Sequence, residues 1–132
     1  MMRRWLLAAT LVLAGCSPGV NRPPTEVTAQ ADAKGVQHVR LLAHSYWFEP
    51  SRIVVKAGHP VELKMNNSSW VAPHNVTCNA ADAGIEFSAN LGLIGRGKTE
   101  TFTPTRAGEY EFFCHVDGHA HKGMKGTIVV VP

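Results

Sequence analysis

The sequence has no stretch of apolar residues long enough to cross a lipid bilayer, which takes roughly 20 of them. Its most apolar segment, residues 5–13, is shorter, follows Arg3 and Arg4 and leads into small residues. This arrangement is typical of a secretory signal peptide rather than of a membrane span. We therefore predict that residues 1–15 form a signal peptide and that the rest of the chain is exported.

The sequence also has no run of basic residues. Lys and Arg number 13 against 10 Asp and Glu, and two of the 13 lie in the predicted signal peptide. The exported chain is therefore close to neutral and lacks the basic run that favours nucleic acid or an anionic surface. We expect no nucleic acid partner.

Cysteine is scarce, with three residues in the chain. The first closes the segment Leu13-Ala14-Gly15-Cys16, which resembles the bacterial lipobox. The resemblance implies that Cys16 is acylated and anchors a lipoprotein on the periplasmic side of a bacterial membrane. Ser17 after it favours the outer membrane if the cell has two. Ordinary cleavage near Ala14 is the alternative.

The other two cysteines, Cys78 and Cys114, could form a disulfide in an oxidising compartment. A metal site that uses Cys114 competes with this pairing. We expect Cys78 to be free instead, pointing inward as a small apolar residue.

No helical periodicity of apolar residues is evident. Residues 16–35 carry Pro, Gly, Ser and Thr without any apolar period, so we predict a flexible tether there. Seven short runs rich in Val, Ile, Phe and Tyr follow, and they predict one all-β domain over residues 36–132, a Greek-key β-sandwich or barrel. Residues 79–97 interrupt this pattern and predict a loop with a helical turn.

What the sequence does contain is a dense group of metal ligands near its C-terminus, in FFCHVDGHAHKGMKG. Cys114, His119 and Met124 are evenly spaced there, and His74 lies upstream in APHNV. One thiolate, two imidazoles and a weak thioether are the ligands of a blue-copper electron-transfer site. Both Cu(I) and Cu(II) tolerate this set, so electron transfer needs little rearrangement.

The segments YEFFCHVDGHAHKGMKGTIVV, APHNV and YWFEPSRIVVKAG resemble the cupredoxin family, in particular its small plastocyanin-like and auracyanin-like members. The resemblance covers roughly residues 38–132. It implies one type 1 copper ion bound by four ligands, His74, Cys114, His119 and Met124. It also implies that Asn75 helps to hold the ligand loops together. Asp117 stands where many relatives have proline.

Two further histidines complicate the ligand loop. The His115 region is similar to the multicopper oxidase motif, but Phe113 replaces the first His of that motif's triplet. A binuclear copper motif would need a cysteine where Gly118 stands. We expect His115 to face away from Cys114, and we expect His121, the competitor of His119, to lie at the rim of the site.

We expect an electron carrier rather than an enzyme, because we find no second ligand set. The family resemblance implies that electrons pass through the edge of His119 to a cytochrome, an oxidase or a reductase, during transient docking of a monomer. A copper-handling lipoprotein that delivers or sequesters the metal is the alternative, although no Met-rich or His-rich run supports it. A zinc site or a metal-free binding module is a further alternative, since Cys and His also suit Zn(II).

Overall fold

The computed structural model describes residues 22–132. Short strands with alternating burial dominate this part of the chain, as expected for sheets that bury one face. The strands are β1 (Glu26–Thr28), β2 (Gln30–Ala31), β3 (Gln37–His44), β4 (Trp47–Glu49), β5 (Arg52–Lys56), β6 (Val61–Asn67), β7 (His74–Ala80), β8 (Ile85–Gly92), β9 (Gly97–Phe102), β10 (Gly108–Phe113) and β11 (Lys125–Val131).

The strands form two sheets. One has the order β1-β5-β11-β10-β7-β8, and the other has the order β2-β3-β6-β9, with β4 paired to β3. Parallel pairing joins β3 to β6 and β5 to β11, while β10 is antiparallel to both β7 and β11. The seven predicted runs correspond to β3, β5, β6, β7, β9, β10 and β11. The predicted all-β sandwich is therefore confirmed.

The core lies between the sheets. Leu41 and Leu63 point into it from one sheet, and Ile53 and Ile128 from the other. Each of these side chains is almost fully buried, and burying a side chain of this size contributes roughly 1.5–3 kcal/mol. The metal ligands described below extend this core at one edge.

The predicted tether is wrong for part of its length. Within residues 16–35, β1 pairs in parallel with β5, and β2 pairs antiparallel with β3. Between them the Ala29 N–H donates to the Val54 carbonyl at 2.9 Å. The strands β1 and β2 bind to sheet edges through their backbone hydrogen bonds. Their side chains are mostly exposed, so the sequence shows no alternation of apolar residues there. The predicted signal peptide and Cys16 lie outside the described residues.

The predicted loop over residues 79–97 is also largely a strand. A short 3-10 turn, Ala81–Ala83, is followed by β8, in which every second side chain is buried. One of the buried positions is Ala89, a weak strand former that lies between Ser88 and Asn90, and this masked the alternation. Within residues 22–132 no helix is long and apolar enough to span a bilayer.

Candidate metal centre

Two neighbouring strands bring the first ligands together. Strands β7 and β10 are antiparallel, with Phe112 opposite Cys78 and Phe113 opposite Thr77. His74 begins β7 and Cys114 follows the last residue of β10, so both lie at the same edge of the sheet. As predicted, alternation along β10 directs the buried Cys114 to the core side.

The loop after Cys114 is fixed by backbone hydrogen bonds. The Cys114 N–H donates to the Met124 carbonyl at 3.1 Å, and the Met124 N–H donates to the His119 carbonyl at 3.2 Å. A 3-10 turn, Ala120–Lys122, lies between them and ends at Gly123, whose φ of 94° favours glycine. The turn brings the fully buried Met124 back to Cys114, with which it shares a backbone hydrogen bond.

The geometry of the three strong donors fits a single metal ion. One donor atom from each of His74, Cys114 and His119 lies within 4.8 Å of the others. The Cys114 Sγ is 3.6 Å from the His119 Nδ1. The His74 Nδ1 is buried and has no hydrogen-bond partner within residues 22–132, whereas the His74 Nε2 lies 3.3 Å from the Ser45 Oγ. An unpaired buried nitrogen is costly, so a metal ion would satisfy this atom.

The sulfur of Cys114 is tied to the strand that carries the first histidine. The Asn75 N–H donates to the Cys114 Sγ at 3.3 Å. Cys78 differs, because burial raises the pKa of its thiol to about 11. In the part of the chain that the structure describes, Cys78 and Cys114 form no disulfide, so the alternative of a bond between them is not found. Cys78 is buried, as expected.

The two imidazoles are held in the neutral form that a metal requires. Burial lowers the pKa of His74 to about 4, and the positive charges of His119 and His44 act in the same direction. Burial also lowers the pKa of His119, and the charge of Lys122 adds to this effect. Metal binding at pH 7 therefore displaces no proton from either ring.

The metal-free protein is expected to lose stability as the pH falls from about 6.5 towards about 4. In this range the unfolded chain protonates His74 and the folded chain does not, so acid favours unfolding. At about 1.4 kcal/mol per pKa unit, the loss from this residue approaches about 3 kcal/mol. Urea midpoints across this pH range measure it. A His74→Gln variant keeps the other titrating groups, so its stability should depend less steeply on pH. An equally steep dependence would contradict the assignment of this loss to His74.

Asn75 connects the ligand loops, the role that the family resemblance implies, and the structure gives its partners. Its Nδ2 donates to the Ser88 Oγ at 3.2 Å and to the Asn90 Oδ1 at 3.0 Å. Its Oδ1 accepts a hydrogen bond from the Thr77 hydroxyl. The same hydroxyl lies 3.1 Å from the His115 Nδ1. Thr77 therefore links Asn75 to the residue that follows Cys114.

His115 is exposed, as predicted, but this hydrogen bond ties its ring to β7. Sequence reasoning also missed Tyr46, whose ring centroid lies 4.7 Å from that of His119 and 6.2 Å from that of His74. Only polar residues at alternate positions of β7, Asn75 and Thr77, hinted at this network. No signal in the sequence linked Tyr46 to the site.

The choice between the two loop histidines follows from their burial. His119 is buried beside Cys114, whereas His121 is exposed on the 3-10 turn and belongs to no donor cluster within residues 22–132. A His121→Ala variant should therefore keep the visible spectrum of the copper-loaded protein nearly unchanged. A His119→Ala variant, compared side by side, should lose it. A spectrum that changes only in the His121 variant would reverse the assignment.

These features define a class of protein, the cupredoxins: two packed β-sheets with one cysteine and two histidines converging at one edge. The sequence profile of the cupredoxin-like domain matches residues 6–130, and the chain belongs to this family. The predicted cofactor, one type 1 copper ion, agrees with the family and with the donor set.

Two relatives illustrate the similarity in sequence. Plastocyanin A/B of Petroselinum crispum is 36% identical over 88 residues, which cover 63% of this chain and 86% of the plastocyanin. Auracyanin-A of Chloroflexus aurantiacus is 24% identical over an alignment that covers 95% of this chain and 92% of the auracyanin.

Solved structures share the fold. The dithionite-reduced auracyanin of Roseiflexus castenholzii superposes with a TM-score of 0.62 at 22% identity, covering 72% of this chain and 97% of that one. The metal-binding domain of the Cu(I)-exporting P-type ATPase CopA of Streptococcus pneumoniae superposes with a TM-score of 0.66 at 22% identity, covering 84% and 100%. At this identity the likeness concerns the fold alone.

Proposed function

We propose that this chain is a one-electron carrier that holds a single type 1 copper ion with His74, Cys114, His119 and Met124. The observation that carries the proposal is the convergence of two neutral imidazoles and a hydrogen-bonded cysteine sulfur within 4.8 Å, with one ring nitrogen left unpaired. Bound copper supplies the Cu(II)/Cu(I) couple. The residues hold the ligand geometry fixed between two sheets, so little reorganisation accompanies electron transfer.

His119 is the ligand through which electrons would leave. It retains 8% exposure, whereas His74 retains 1% and Cys114 none. Tunnelling through the edge of an imidazole requires only that the partner approach this ring. Neither proton movement nor ligand exchange is involved, which distinguishes a carrier from an enzyme. The absence of catalytic activity remains a prediction of this proposal.

An exposed apolar patch near the first ligand supports brief docking. Trp70 is 76% exposed and Val71 is 88% exposed, just before His74, and Leu93 is exposed after β8. The Ile94 N–H donates to the Ser69 carbonyl at 2.9 Å and ties the two loops together. Large exposed apolar side chains mark interaction sites. We propose transient contact of a monomer with a cytochrome, an oxidase or a reductase.

The location of the protein is part of the proposal. The signal-like residues 1–15 and the lipobox-like sequence ending at Cys16 support an exported lipoprotein anchored on the periplasmic side of a bacterial membrane, the outer membrane in a cell with two. Mass spectrometry of the protein purified from membranes would test it, since acylated Cys16 would be the first residue. A chain cleaved near Ala14 and found without lipid would contradict the anchor.

The copper site is tested with the exported chain, residues 16–132. Loaded with Cu(II), it should give an intense visible absorption and a paramagnetic resonance signal, both lost on reduction and recovered on reoxidation. A colourless complex, or one formed equally well with zinc, would reject the proposal. The copper-handling alternative predicts rapid loss of the metal to a chelator. A carrier should instead complete many redox cycles before it releases copper.

A further inference from the structure

A groove of about 740 Å³ lies directly beside the metal centre. Its walls are the N-terminal segment before β1, the turn between β3 and β4, and the 3-10 turn of the ligand loop. Charged or aromatic side chains dominate it: Arg22, Tyr46, Trp47, His121, Lys122 and Lys125. The cations come from distant parts of the sequence, so no basic run revealed them.

Among residues 22–132, the lining of the groove contains cations and no compensating carboxylate. The nearby Glu49 is bonded to His44 at 3.0 Å. The Arg22 guanidinium lies 4.2 Å from the centre of the Trp47 ring, and the Lys122 Nζ lies 3.9 Å from that of Tyr46. An aromatic face attracts a cation but does not neutralise it. The rings therefore position these charges and leave them available to an anionic partner.

The groove is also connected to the metal ligands. Tyr46 lines it and packs edge-on against the ring of His119 at 4.7 Å. A molecule seated in the groove would contact Tyr46, one ring away from His119. This contact brings the occupant of the groove within a short distance of the proposed point of electron exit.

We propose that the groove receives the acidic face of a one-electron redox protein, an inference that rests on the proposed function. With copper held by His74, Cys114, His119 and Met124, the reduced centre of that protein would pass one electron to Cu(II), giving Cu(I) and the oxidised partner without exchange of a bond or proton. Charge complementarity selects this occupant over the chain's own N-terminal segment, because residues 1–21 contain no Asp or Glu. A membrane is the other possible anionic occupant. Its surface is planar, whereas carboxylate side chains that protrude from a protein can enter a concave groove.

The charges of the groove should change the rate of electron transfer. Opposite charges on two proteins raise the rate at which they meet in the productive orientation, by tenfold or more at low salt. Salt removes the effect, because the Debye length shrinks from about 30 Å at 0.01 M to about 3 Å at 1 M. The expected signature is therefore a rate that falls with ionic strength for acidic partners only.

The experiment uses the copper-loaded exported chain and two reduced cytochromes c, one with an acidic surface and one with a basic surface. Stopped-flow mixing gives the second-order rate of copper reduction over this salt range. The acidic cytochrome should react faster at low salt. A Lys122→Gln/Lys125→Gln variant should lower that rate about tenfold and flatten its salt dependence, with the blue absorption retained. A Lys122→Arg variant should react like the wild type.

The matched control is Lys34→Gln/Lys56→Gln, which removes the same charge far from the metal centre. Lys34 lies in the turn before β3 and Lys56 ends β5. If both double variants slow copper reduction equally, the effect is due to the net charge of the protein, and the proposed docking in the groove is wrong. Sedimentation with phosphatidylglycerol vesicles tests binding to a membrane instead. If the groove variant lowers binding to the vesicles and leaves the rate with the acidic cytochrome unchanged, the proposal is also overturned. Failure of the proposed function would be seen before this experiment, because the copper-loaded chain would then lack a blue absorption that is lost on reduction and recovered on reoxidation.

Discussion

A Cys114→Ser variant should lose the intense visible absorption completely and with it rapid reversible electron transfer. The thiolate is the donor whose charge transfer to copper gives the colour, and a serine oxygen is a poor ligand for Cu(I). The fold should persist, because a buried serine hydroxyl can accept the Asn75 N–H that the Cys114 Sγ accepts in the native protein. Visible spectroscopy of the copper-loaded variant, with thermal unfolding of the metal-free form, separates the two effects.

Cys78→Ala is the matched control for this experiment. Cys78 is as buried as Cys114 and is a free thiol, yet burial holds the pKa of its thiol at about 11 and it belongs to no donor cluster within the described residues. We expect this variant to keep the spectrum and to lose some stability. A bleached Cys78→Ala variant, or a Cys114→Ser variant that remains blue, would contradict the assignment of the thiolate ligand.

Most of the metal ligands could be predicted from the sequence because residues of metal-binding types lie close together in it. Cys114, His119 and Met124 share one loop, and alternation along β10 already gives the direction of Cys114. His74 was harder, since an isolated histidine in a loop carries little signal. Only the combination with the C-terminal loop, and the resemblance to cupredoxins, singled it out.

The parts that were missed depend on contacts between distant segments. Tyr46 reaches His119 and Thr77 reaches His115 because strands far apart in the sequence meet at one edge. The same holds for β1 and β2, which bind to sheet edges by backbone hydrogen bonds that leave no mark on side-chain pattern. Hydrophobic periodicity finds buried strands, so exposed strands at the edges escape it.

The two glycines that flank Met124 have different roles. Gly123 ends the 3-10 turn with a φ of 94°. Gly126 lies within β11, opposite Phe112, and its φ is not in the left-handed region. A Cβ at this position would lie 2.2 Å from the Phe112 Cζ. Close approach of an aromatic ring, rather than backbone freedom, requires the glycine.

A Gly126→Ala variant should therefore be strongly destabilised. Phe112 is almost fully buried and its ring centroid lies 5.2 Å from that of Phe48, so the ring has no free space into which it can move. Overpacking of this kind typically costs about 1–3 kcal/mol, and occasionally more. Urea unfolding of the metal-free protein measures the change, which should appear as a lower midpoint with an unchanged m value.

A double-mutant cycle with Phe112→Leu tests the cause. Leucine lacks the ring atoms that approach position 126, so the Phe112→Leu variant alone loses packing. In the double variant, the methyl group added by Gly126→Ala should fill part of the space left by the missing ring. The destabilisation of the double variant should fall below the sum of the two single values by about 1 kcal/mol or more, as expected for residues in direct contact. Additive values would mean that Gly126 is required for its backbone and not for the ring of Phe112.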